Sequence, residues 1–392
     1  MGMEECDFTA DELAARLAGL RDLMAAADLD AVLITTDGNH RYFTGHVTHR
    51  WTHNYVALFA LLPRQGEPVL LVPHFEAGMS QVDSWIETTR TFPVRHPLQG
   101  IEAITDAVRE QGLESGRIGI EMGSMMWMRI PHDDFIQLRA NLPGVEFADA
   151  APLCWRLRAR KSPAEVDLIR QAVAITDGAY EAVLDELRPG MSERELFSLL
   201  AVEHLKRGAE MPGSITICPN IPGSDRECDR TLRRPTDRTL VPGEVITHDM
   251  GGRYRGYWSD YTRMFALGEV TAAQREFYRV TYESVHAAIA AVAPGRTTAD
   301  LVEAAREVMR AAGHGDHAAS LAGVGHASGI DIIEPPYLTH DPAIRIEEGM
   351  VLTVEPGLVA DGDFYMLEED VLVTAEGGEI LSAPAPPELP VV

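Results

Sequence analysis

The sequence predicts an α+β protein of two domains, and three observations support this. The chain has 392 residues, more than a single compact domain usually contains. In the first 150 residues, short apolar and β-branched runs alternate with helical patterns, which is typical of an α/β domain. From residue 156 onward the order becomes helices, strands, helices and strands, which favours an α+β domain over a doubly wound sheet.

The elements of the N-terminal half are predicted from apolar spacing and turn signals. Residues 11–27 place leucines and a methionine at helical intervals, and the β-branched run 31–36 predicts a strand. Asp37-Gly38-Asn39 after that run predicts a turn. Further apolar runs predict strands within 55–62, 69–72 and 117–122, and helical patterns occupy 101–111 and 133–142.

The C-terminal half opens with a capped helix. Ser162 is predicted as its N-cap, with Pro163 at the first helical position and Glu165 at the third. Three more helices are predicted at 189–208, 271–293 and 297–312, with strands between and after them. The proline-rich stretch 383–390 predicts a loose tail.

Composition excludes several classes of function. The chain has 34 basic and 60 acidic residues, so its net charge is 34 − 60 = −26. Such a chain repels phosphate backbones, and its densest basic stretch, 226–238, is interrupted by acidic residues, so we expect no nucleic-acid partner. Four cysteines without a CxxC pair exclude a disulfide framework. Without an apolar leader or a long apolar run, we expect a cytoplasmic protein with no membrane partner.

Two aspartates lie in a predicted hairpin at 245–265. Asp249 and Asp260 belong to two strand-like runs that flank a turn placed at Gly251-Gly252. The aromatic and aliphatic neighbours indicate a buried hairpin, and buried carboxylates are costly unless they are paired or bound to a metal. The alternative is that one aspartate serves the turn and the other a local hydrogen bond.

Three more candidate ligands follow along the chain. His326 lies among small residues in GVGHASG, Glu355 follows the apolar run MVLTV, and Glu368 precedes the strand-like VLVT. Acidic residues next to apolar strands are unusual unless a positive group lies inside. Taken singly, the histidine could be structural and each glutamate could point outward. The glycine spacing around His326 lacks the order of a dinucleotide-binding loop.

Together these five residues form a metal-binding set. Four carboxylates and one imidazole suit two divalent ions such as Mn, Co, Zn or Fe, and four negative charges balance two such ions. Two metals about 3.5–4 Å apart can lower the pKa of a bridging water and polarise a carbonyl.

The same motifs resemble those of the pita-bread metallohydrolases, the M24 metallopeptidase family, which includes methionine aminopeptidase, aminopeptidase P, Xaa-Pro dipeptidase and the metal-free creatinase. HDMGGRYRGYWSDYTR at 248–263 resembles the family's D-x-G…SD-x-TR hairpin. His326 matches the family's GHGxG loop, Glu355 its VEPG motif and Glu368 its R-x-E-D strand. The resemblance implies a creatinase-like N-terminal domain at 1–155 and a pita-bread catalytic domain at 156–392.

The resemblance also implies a role for each ligand. Asp249 would chelate one ion, His326 and Glu355 the other, and Asp260 with Glu368 would bridge both. Glu355 would hold the metal-bridging hydroxide, which is the nucleophile, and act as general base; His326 and Glu355 are thus the catalytic candidates. The family architecture further implies a homodimer whose N-terminal domains lend residues to the partner's site.

Three positions depart from the Xaa-Pro peptidases. The family's second histidine, seven residues after the ligand histidine, is Ile333 here, and the loop 229–234 lacks the family's other histidine. The arginine that clamps a substrate carboxylate is Met366 here. Since the missing histidines stabilise an oxyanion and contact substrate, that electrostatic contribution is absent or supplied by other residues.

Candidate replacements can be named, each with an ordinary alternative. Arg233 and Arg234 lie in the loop that lacks a histidine, but they could be surface charges. Asp331 and Glu334 lie near Ile333, but they could be loop charges. The segment 46–55 could recognise a small anionic or amide-bearing ligand, or it could be an ordinary polar loop. Its candidate substrate-binding residues are His46, Arg50 and Trp51, and the segment also contains His49, His53 and Tyr55.

Three functions follow from these observations. The first is a dinuclear-metal hydrolase of C–N bonds in small peptides, similar to Xaa-Pro dipeptidase or aminopeptidase P. The second is a non-peptide member acting on a small molecule: an amidohydrolase like creatinase or ectoine hydrolase, or a lyase like the dimethylsulfoniopropionate-cleaving member. The third is a silent binding module, as in some histone chaperones, which would lack metal; retention of all five ligand positions argues against it.

Overall fold

The computed structural model describes residues 6–53, 55–220 and 234–392. The chain divides into two compact units, Met1–Arg158 and Ala159–Val392. Both units combine helices with sheets, so the predicted α+β class is confirmed. Among the described residues, no helix has the length and apolarity needed to span a membrane.

A six-stranded mixed sheet forms the centre of the first unit. Its strands are β1 (Ala31–Ile34), β2 (Phe59–Pro63), β3 (Val69–Pro73), β4 (Thr88–Phe92), β5 (Arg117–Ile120) and β6 (Glu146–Asp149). Their order is β4-β3-β2-β1-β5-β6. The pairs β1–β2 and β2–β3 are antiparallel, while β3–β4, β1–β5 and β5–β6 are parallel.

The helices of the first unit cover this sheet. They are α1 (Ala10–Ala26), α2 (Asp37–Thr44), α3 (Ala77–Asp83), α4 (Ile101–Glu110), α5 (His132–Asn141) and α6 (Ala151–Arg158), with short 3₁₀ turns at His49–Thr52 and His74–Glu76. The core packs Leu33, Leu61 and Leu71 of the sheet against Ile104 and Leu138 of two helices. The continuous apolar runs of β1, β2 and β3, which are buried at every position, and the helical patterns of the sequence account for this packing.

The described residues of the second unit form four sheets. Its strands are β7 (Ser214–Asn220), β8 (Val245–Gly251), β9 (Arg253–Tyr254), β10 (Tyr257–Trp258), β11 (Tyr261–Ala266), β12 (Gly323–Ala327), β13 (Glu334–Thr339), β14 (Val351–Val354), β15 (Leu358–Ala360), β16 (Asp363–Tyr365), β17 (Glu369–Thr374) and β18 (Gly377–Ile380). The sheet orders are β11-β8-β7, β13-β12-β14-β17-β18, β10-β9 and β15-β16.

The helices of the second unit begin at strong N-terminal signals. They are α7 (Pro163–Glu186), α8 (Glu193–Lys206), α9 (Ala272–Ala290), α10 (Thr298–Ala311) and α11 (Gly315–Ser320). The predicted cap at Ser162 is confirmed as a capping box with Glu165. The same box starts three more helices, at Ser192, Thr271 and Thr297.

The turn predicted at Asp37-Gly38-Asn39 is wrong, because helix α2 begins there. The preceding Thr36 is extended, and its backbone N–H donates to the carboxylate of Glu121 at 2.9 Å. A helix start normally needs such an acceptor. Here the acceptor lies 85 residues further along the chain. The residues around position 36 therefore give no sign of this helix start.

The hairpin carrying the two aspartates turns at a different place from the predicted Gly251-Gly252. Tyr254 pairs with Tyr257, and the residues between them, Arg255 and Gly256, both have positive φ angles of 44° and 84°. Two positive φ angles are what a tight two-residue hairpin turn requires. The tip is therefore Arg255-Gly256.

The proline-rich stretch 383–390 is not a loose tail. Pro390 accepts a hydrogen bond from the backbone N–H of Ala266 at 2.7 Å, and Val392 N–H donates to Ala266 at 2.9 Å. Ala385 and Leu389 are buried in the core of the unit. Proline lacks a backbone donor but keeps its carbonyl, so the segment can still attach to a strand as an acceptor.

Candidate metal centre

Asp249 and Asp260 come from neighbouring antiparallel strands. Asp249 lies in β8 and pairs across the sheet with Thr262 in β11, while Asp260 immediately precedes β11. Asp249 accepts a hydrogen bond from the hydroxyl of Thr216 at 2.9 Å. The tight turn at the hairpin tip returns the chain so that Asp260 leads into the strand that pairs with the strand of Asp249.

His326 lies in strand β12, not in a loop, and its ring orientation is fixed by its own backbone. Its Nδ1 is 3.0 Å from the carbonyl oxygen of Ala327. A carbonyl can only accept, so Nδ1 carries the proton and Nε2 keeps its lone pair. That Nε2 lies 3.6 Å from Oδ2 of Asp260 and 3.6 Å from Oε1 of Glu355. The imidazole therefore presents a free lone pair to two carboxylates.

The glycine before the histidine is required by close packing. A Cβ on Gly325 would lie 1.9 Å from the carbonyl oxygen of Thr353, and its φ of +131° disfavours any side chain. Thr353 pairs directly with His326 across the sheet. The small residues around the histidine thus allow β12 and β14 to approach at the site.

Three of the five predicted ligands form a compact cluster. Ligand atoms of Asp260, His326 and Glu368 all lie within 4.8 Å of one another, and all three residues are buried. Glu368 accepts a hydrogen bond from the hydroxyl of Thr262 at 2.7 Å. Oε1 of Glu355 lies 3.6 Å from Nε2 of His326, which brings this carboxylate next to the cluster. Its side chain is 25% exposed, so it lies at the edge of the cluster that faces solvent.

The carboxylates of the cluster strongly perturb one another. Burial raises the pKa of Asp260 well above its ordinary value, and the charges of Asp249, Asp370 and Glu355 raise it further. Burial, followed by the charges of Asp260, Glu355 and Asp249, raises the pKa of Glu368 in the same way.

The two remaining carboxylates follow the same pattern. Burial and the charge of Asp249 raise the pKa of Glu355 to about 7. Burial raises the pKa of Asp249, and the Thr216 hydroxyl opposes that rise. The pKa of His326 is lowered by burial, with partial opposition from its bond to Ala327 and the charge of Glu334. The centre is thus short of positive charge.

This donor set fits divalent metal ions. Crowded carboxylates with raised pKa values bind cations because a cation removes their mutual repulsion. Four carboxylates with one neutral imidazole are the oxygen and nitrogen ligands that Mn, Fe, Co and Zn accept.

Sequence reasoning missed the residue that supports Asp260. The carboxylate of Asp370 accepts the backbone N–H of Asp260 at 2.9 Å and the hydroxyl of Thr353 at 3.3 Å. Burial raises the pKa of Asp370 to about 8. It lies two residues after Glu368, so strand alternation puts both on one face; this spacing was the signal available in the sequence.

The candidate substrate residues of the second unit take different positions. Glu334 is buried, its Oε2 3.2 Å from Nζ of Lys161, and it accepts the backbone N–H of Asp331. Ile333 between them is 41% exposed, and Met366 is buried. Arg234 is exposed; Arg233 and the rest of the loop 229–234 lie outside the described residues.

In the first unit, His46 and Arg50 contact the same carboxylate, that of Glu76. Nδ1 of His46 is 2.7 Å from Oδ1 of Asp83, and its Nε2 is 3.5 Å from Oε2 of Glu76. Arg50 also pairs with Glu76, and Trp51 is buried. Despite burial, these two carboxylates raise the pKa of His46. His46 and Arg50 are therefore held by helix α3 and the turn before it.

The fold and the acidic centre define a class of protein: a metal-dependent hydrolase with a creatinase-type N-terminal domain and a pita-bread C-terminal domain. Residues 167–375 match metallopeptidase family M24, and residues 16–160 match the creatinase/prolidase N-terminal domain. The chain therefore belongs to metallopeptidase family M24 and is an enzyme, and both predictions are confirmed.

Individual relatives agree with this assignment. The chain is 27% identical to the Xaa-Pro dipeptidase of Pyrococcus furiosus, covering 94% of this chain and 97% of that protein. It is 26% identical to an uncharacterised peptidase of Bacillus subtilis, with the same coverage of 94% and 97%. The solved Xaa-Pro dipeptidase from Bacillus anthracis superimposes with a TM-score of 0.81 at 24% identity, covering 97% of this chain and 100% of that one, which shows a common fold.

Proposed function

We propose that this protein is a dinuclear-metal hydrolase of C–N bonds that acts on Xaa-Pro peptides, as its relatives named Xaa-Pro dipeptidase do. One observation carries the proposal. The ligand atoms of Asp260, His326 and Glu368 lie within 4.8 Å of one another, and the charges of Asp249 and Glu355 reach the same cluster.

The five residues would hold two divalent ions between them. When bound, such ions would activate a water as nucleophile and polarise the scissile carbonyl. Glu355 would act as the general base toward that water, because its side chain is 25% exposed whereas Asp260 and Glu368 are buried. Nε2 of His326, kept unprotonated by the Ala327 carbonyl, is the nitrogen ligand.

The domain roles belong to the same proposal. The creatinase-like domain assigned to 1–155 would correspond to the first compact unit, and the catalytic domain assigned to 156–392 to the second. Manganese as the metal, the homodimeric state and the cytoplasmic location all stay predictions.

A second candidate substrate class is favoured by two positions. Ile333 is exposed and apolar, and Met366 is buried and uncharged, where the Xaa-Pro peptidases have a histidine and an arginine. A site without these two residues suits a small molecule that is not a peptide, such as a cyclic amide or an amidine. Cyclic amides, amidines and sulfonium compounds are therefore the alternative substrates.

Metal analysis and peptide hydrolysis test the proposal together. The full chain is purified gently, its metal content is measured, and Xaa-Pro dipeptides and tripeptides are assayed with and without Mn²⁺. We expect about two metals per chain and Mn²⁺-stimulated cleavage, and Glu355→Gln should abolish cleavage whereas Glu376→Gln, an exposed glutamate, should not.

The other outcomes separate the alternatives. Two metals without peptide cleavage would leave the ligand assignment standing and favour the small-molecule substrates. Protein that neither contains nor binds metal would exclude the dinuclear mechanism and favour the silent binding module.

A further inference from the structure

The strands that carry the candidate ligands are tied to the chain's last described segment, residues 381–392, here called the C-terminal strap. Beyond its pairing with Ala266, the strap begins with Leu381, whose backbone N–H donates to the carbonyl of Asp370 at 2.8 Å. The carbonyl of Pro386 accepts a hydrogen bond from the hydroxyl of Tyr278 at 2.6 Å. The strap therefore runs along strands β11 and β17, which adjoin Asp260 and Glu368.

One buried arginine connects the strap to both ligand segments. Nη1 of Arg263 donates to the carbonyl of Thr262 at 2.9 Å and to the carbonyl of Glu368 at 2.8 Å. Its Nη2 donates to Oε2 of Glu369 at 2.8 Å and also to the carbonyl of Ala383 in the strap. The planar guanidinium thus spans three segments of backbone.

Strand alternation places this arginine behind the metal centre. Glu368 faces the centre, so Glu369 points to the opposite face of the strand. Likewise Thr262 reaches the carboxylate of Glu368, so Arg263 points the other way. The acidic triplet 368–370 is therefore divided: two carboxylates face the site and one meets the arginine behind it.

Glu369, the carboxylate partner of Arg263, also bonds to the strap. Its carboxylate accepts the hydroxyl of Ser382 and the backbone N–H of Ala385 at 2.8 Å, both in the strap. The residue is fully buried, and its partner Arg263 is 3% exposed. A buried ion pair with every oxygen engaged holds one geometry, because any displacement leaves a buried charge unpaired.

We propose that Arg263 and Glu369, locked by the C-terminal strap, are positioning residues that set the separation of the ligands Asp260 and Glu368. The proposal rests on the proposed metal centre. Residues behind a metal ligand fix its orientation, and removing them commonly weakens metal binding 10- to 100-fold. Arg263 acts through two backbone carbonyls, that of Thr262 two residues after Asp260 and that of Glu368 itself, and touches no reacting atom.

Metal binding by the full chain tests this directly. Chelator-stripped wild type and the variants Arg263→Lys and Ser382→Ala are titrated with Mn²⁺ in a calorimeter, and the melting temperature is measured with Mn²⁺ and with EDTA. We expect Arg263→Lys to weaken Mn²⁺ binding roughly 10-fold or more, with a smaller metal-induced rise in melting temperature. Ser382→Ala should move both quantities in the same direction by less.

Arg238→Lys is the matched control. Arg238 also forms ion pairs with two buried carboxylates, those of Glu193 and Glu244, but these partners are not adjacent to the candidate metal ligands. Its replacement should lower the melting temperature with and without metal equally and leave Mn²⁺ affinity unchanged.

The remaining outcomes are distinct. If Arg263→Lys and Ser382→Ala both bind Mn²⁺ as wild type does, the pair is merely structural and the proposal is overturned, whatever the loss in melting temperature. If Arg263→Lys does not fold, Ser382→Ala alone decides. If the wild type binds no Mn²⁺, the proposed function fails and this proposal fails with it.

Discussion

Two buried acidic sites in this chain are constructed in opposite ways. In the first unit, the fully buried carboxylate of Glu121 accepts five hydrogen bonds. Two come from the backbone N–H groups of Thr35 and Thr36, two from their hydroxyls, and one from the amide of Asn39 at 2.5 Å. A carboxylate has about four lone-pair sites, so this one is saturated by donors.

The acidic cluster of the second unit has few donors. Among the described residues, the carboxylates of Asp260 and Glu355 accept no hydrogen bond, while Asp249 and Glu368 accept one each from a threonine. All four have raised pKa values, mainly through burial. The difference teaches that a saturated buried carboxylate has a structural role, whereas a cluster of unsatisfied carboxylates is arranged for a cation.

The largest expected effect follows from removing a ligand at the cluster. Asp260→Asn should reduce metal-dependent hydrolysis more than about 100-fold, since even residues behind a ligand cost 10- to 100-fold. In EDTA the same variant should melt at a higher temperature than wild type, because one repelling buried charge is gone. Activity assays and thermal melts with and without Mn²⁺ check both effects.

Asp237→Asn is the control for that variant, since its side chain is 82% exposed. It should change neither activity nor melting temperature appreciably. A metal-free Asp260→Asn that melts well below the wild type would mean that this carboxylate is satisfied in the folded chain, and the contrast with Glu121 would be lost.

The second prediction concerns pH. The pKa of Glu355 is raised from 4.5 to about 7 by burial and the charge of Asp249. Because its folded pKa exceeds its unfolded value, its contribution to stability is full below about pH 4.5 and is lost as pH rises to 7. For the metal-free chain this loss is on the order of 3 kcal/mol. Urea unfolding in EDTA at pH 5 and pH 7.5 measures it.

Glu355→Gln is the matched variant for the pH experiment. It lacks the titrating group, so its free energy of unfolding should fall less between the two pH values than that of wild type. Equal slopes for the two proteins would show that Glu355 ionises normally in the metal-free chain.

The third prediction tests the saturated site. Glu121→Gln replaces one acceptor oxygen with an NH₂ that faces donors, so it should reduce the free energy of unfolding by about 2 kcal/mol. Metal binding in the second unit should be unchanged. Glu146→Gln, whose side chain is 69% exposed, should stay within about 0.5 kcal/mol of wild type. Urea unfolding of both variants, combined with Mn²⁺ titration, decides whether the donors or burial alone stabilise this site.

Much of this contrast depends on contacts that lie far apart in sequence. Apolar periodicity and capping residues predicted most of the described helices and several of the apolar strands, because those signals are local. Helix α2 was missed since its start depends on Glu121, and the strap was missed since its attachment depends on Arg263 and Glu369. Both are long-range hydrogen bonds that no window of sequence contains.

For the candidate site, the sequence predicted which residues are candidate ligands but not how they are arranged. Residue type and spacing singled out the five candidate ligands, because buried acids beside apolar strands are rare. Composition and spacing do not show which of them meet; only the family resemblance grouped Asp260 with Glu368. The 4.8 Å cluster of Asp260, His326 and Glu368 draws its members from segments of two separate sheets. The role of Asp370 required the register of β17 as well.

The smallest effects come from single threonine donors, one at each site. Thr216→Val removes the one hydroxyl that bonds Asp249, and Thr35→Val removes one of five donors to Glu121. A hydrogen bond to a buried group is worth about 1 kcal/mol, or roughly fivefold in an equilibrium constant, and valine keeps the shape of threonine. Thr216→Val should therefore weaken Mn²⁺ binding about fivefold, besides lowering metal-free stability by about 1 kcal/mol or less. Thr35→Val should lower the free energy of unfolding by about 1 kcal/mol and leave Mn²⁺ affinity unchanged. If instead Thr35→Val weakened Mn²⁺ binding and Thr216→Val did not, Glu121 would be coupled to the metal centre. The division into a structural and a cation-binding carboxylate site would then be wrong.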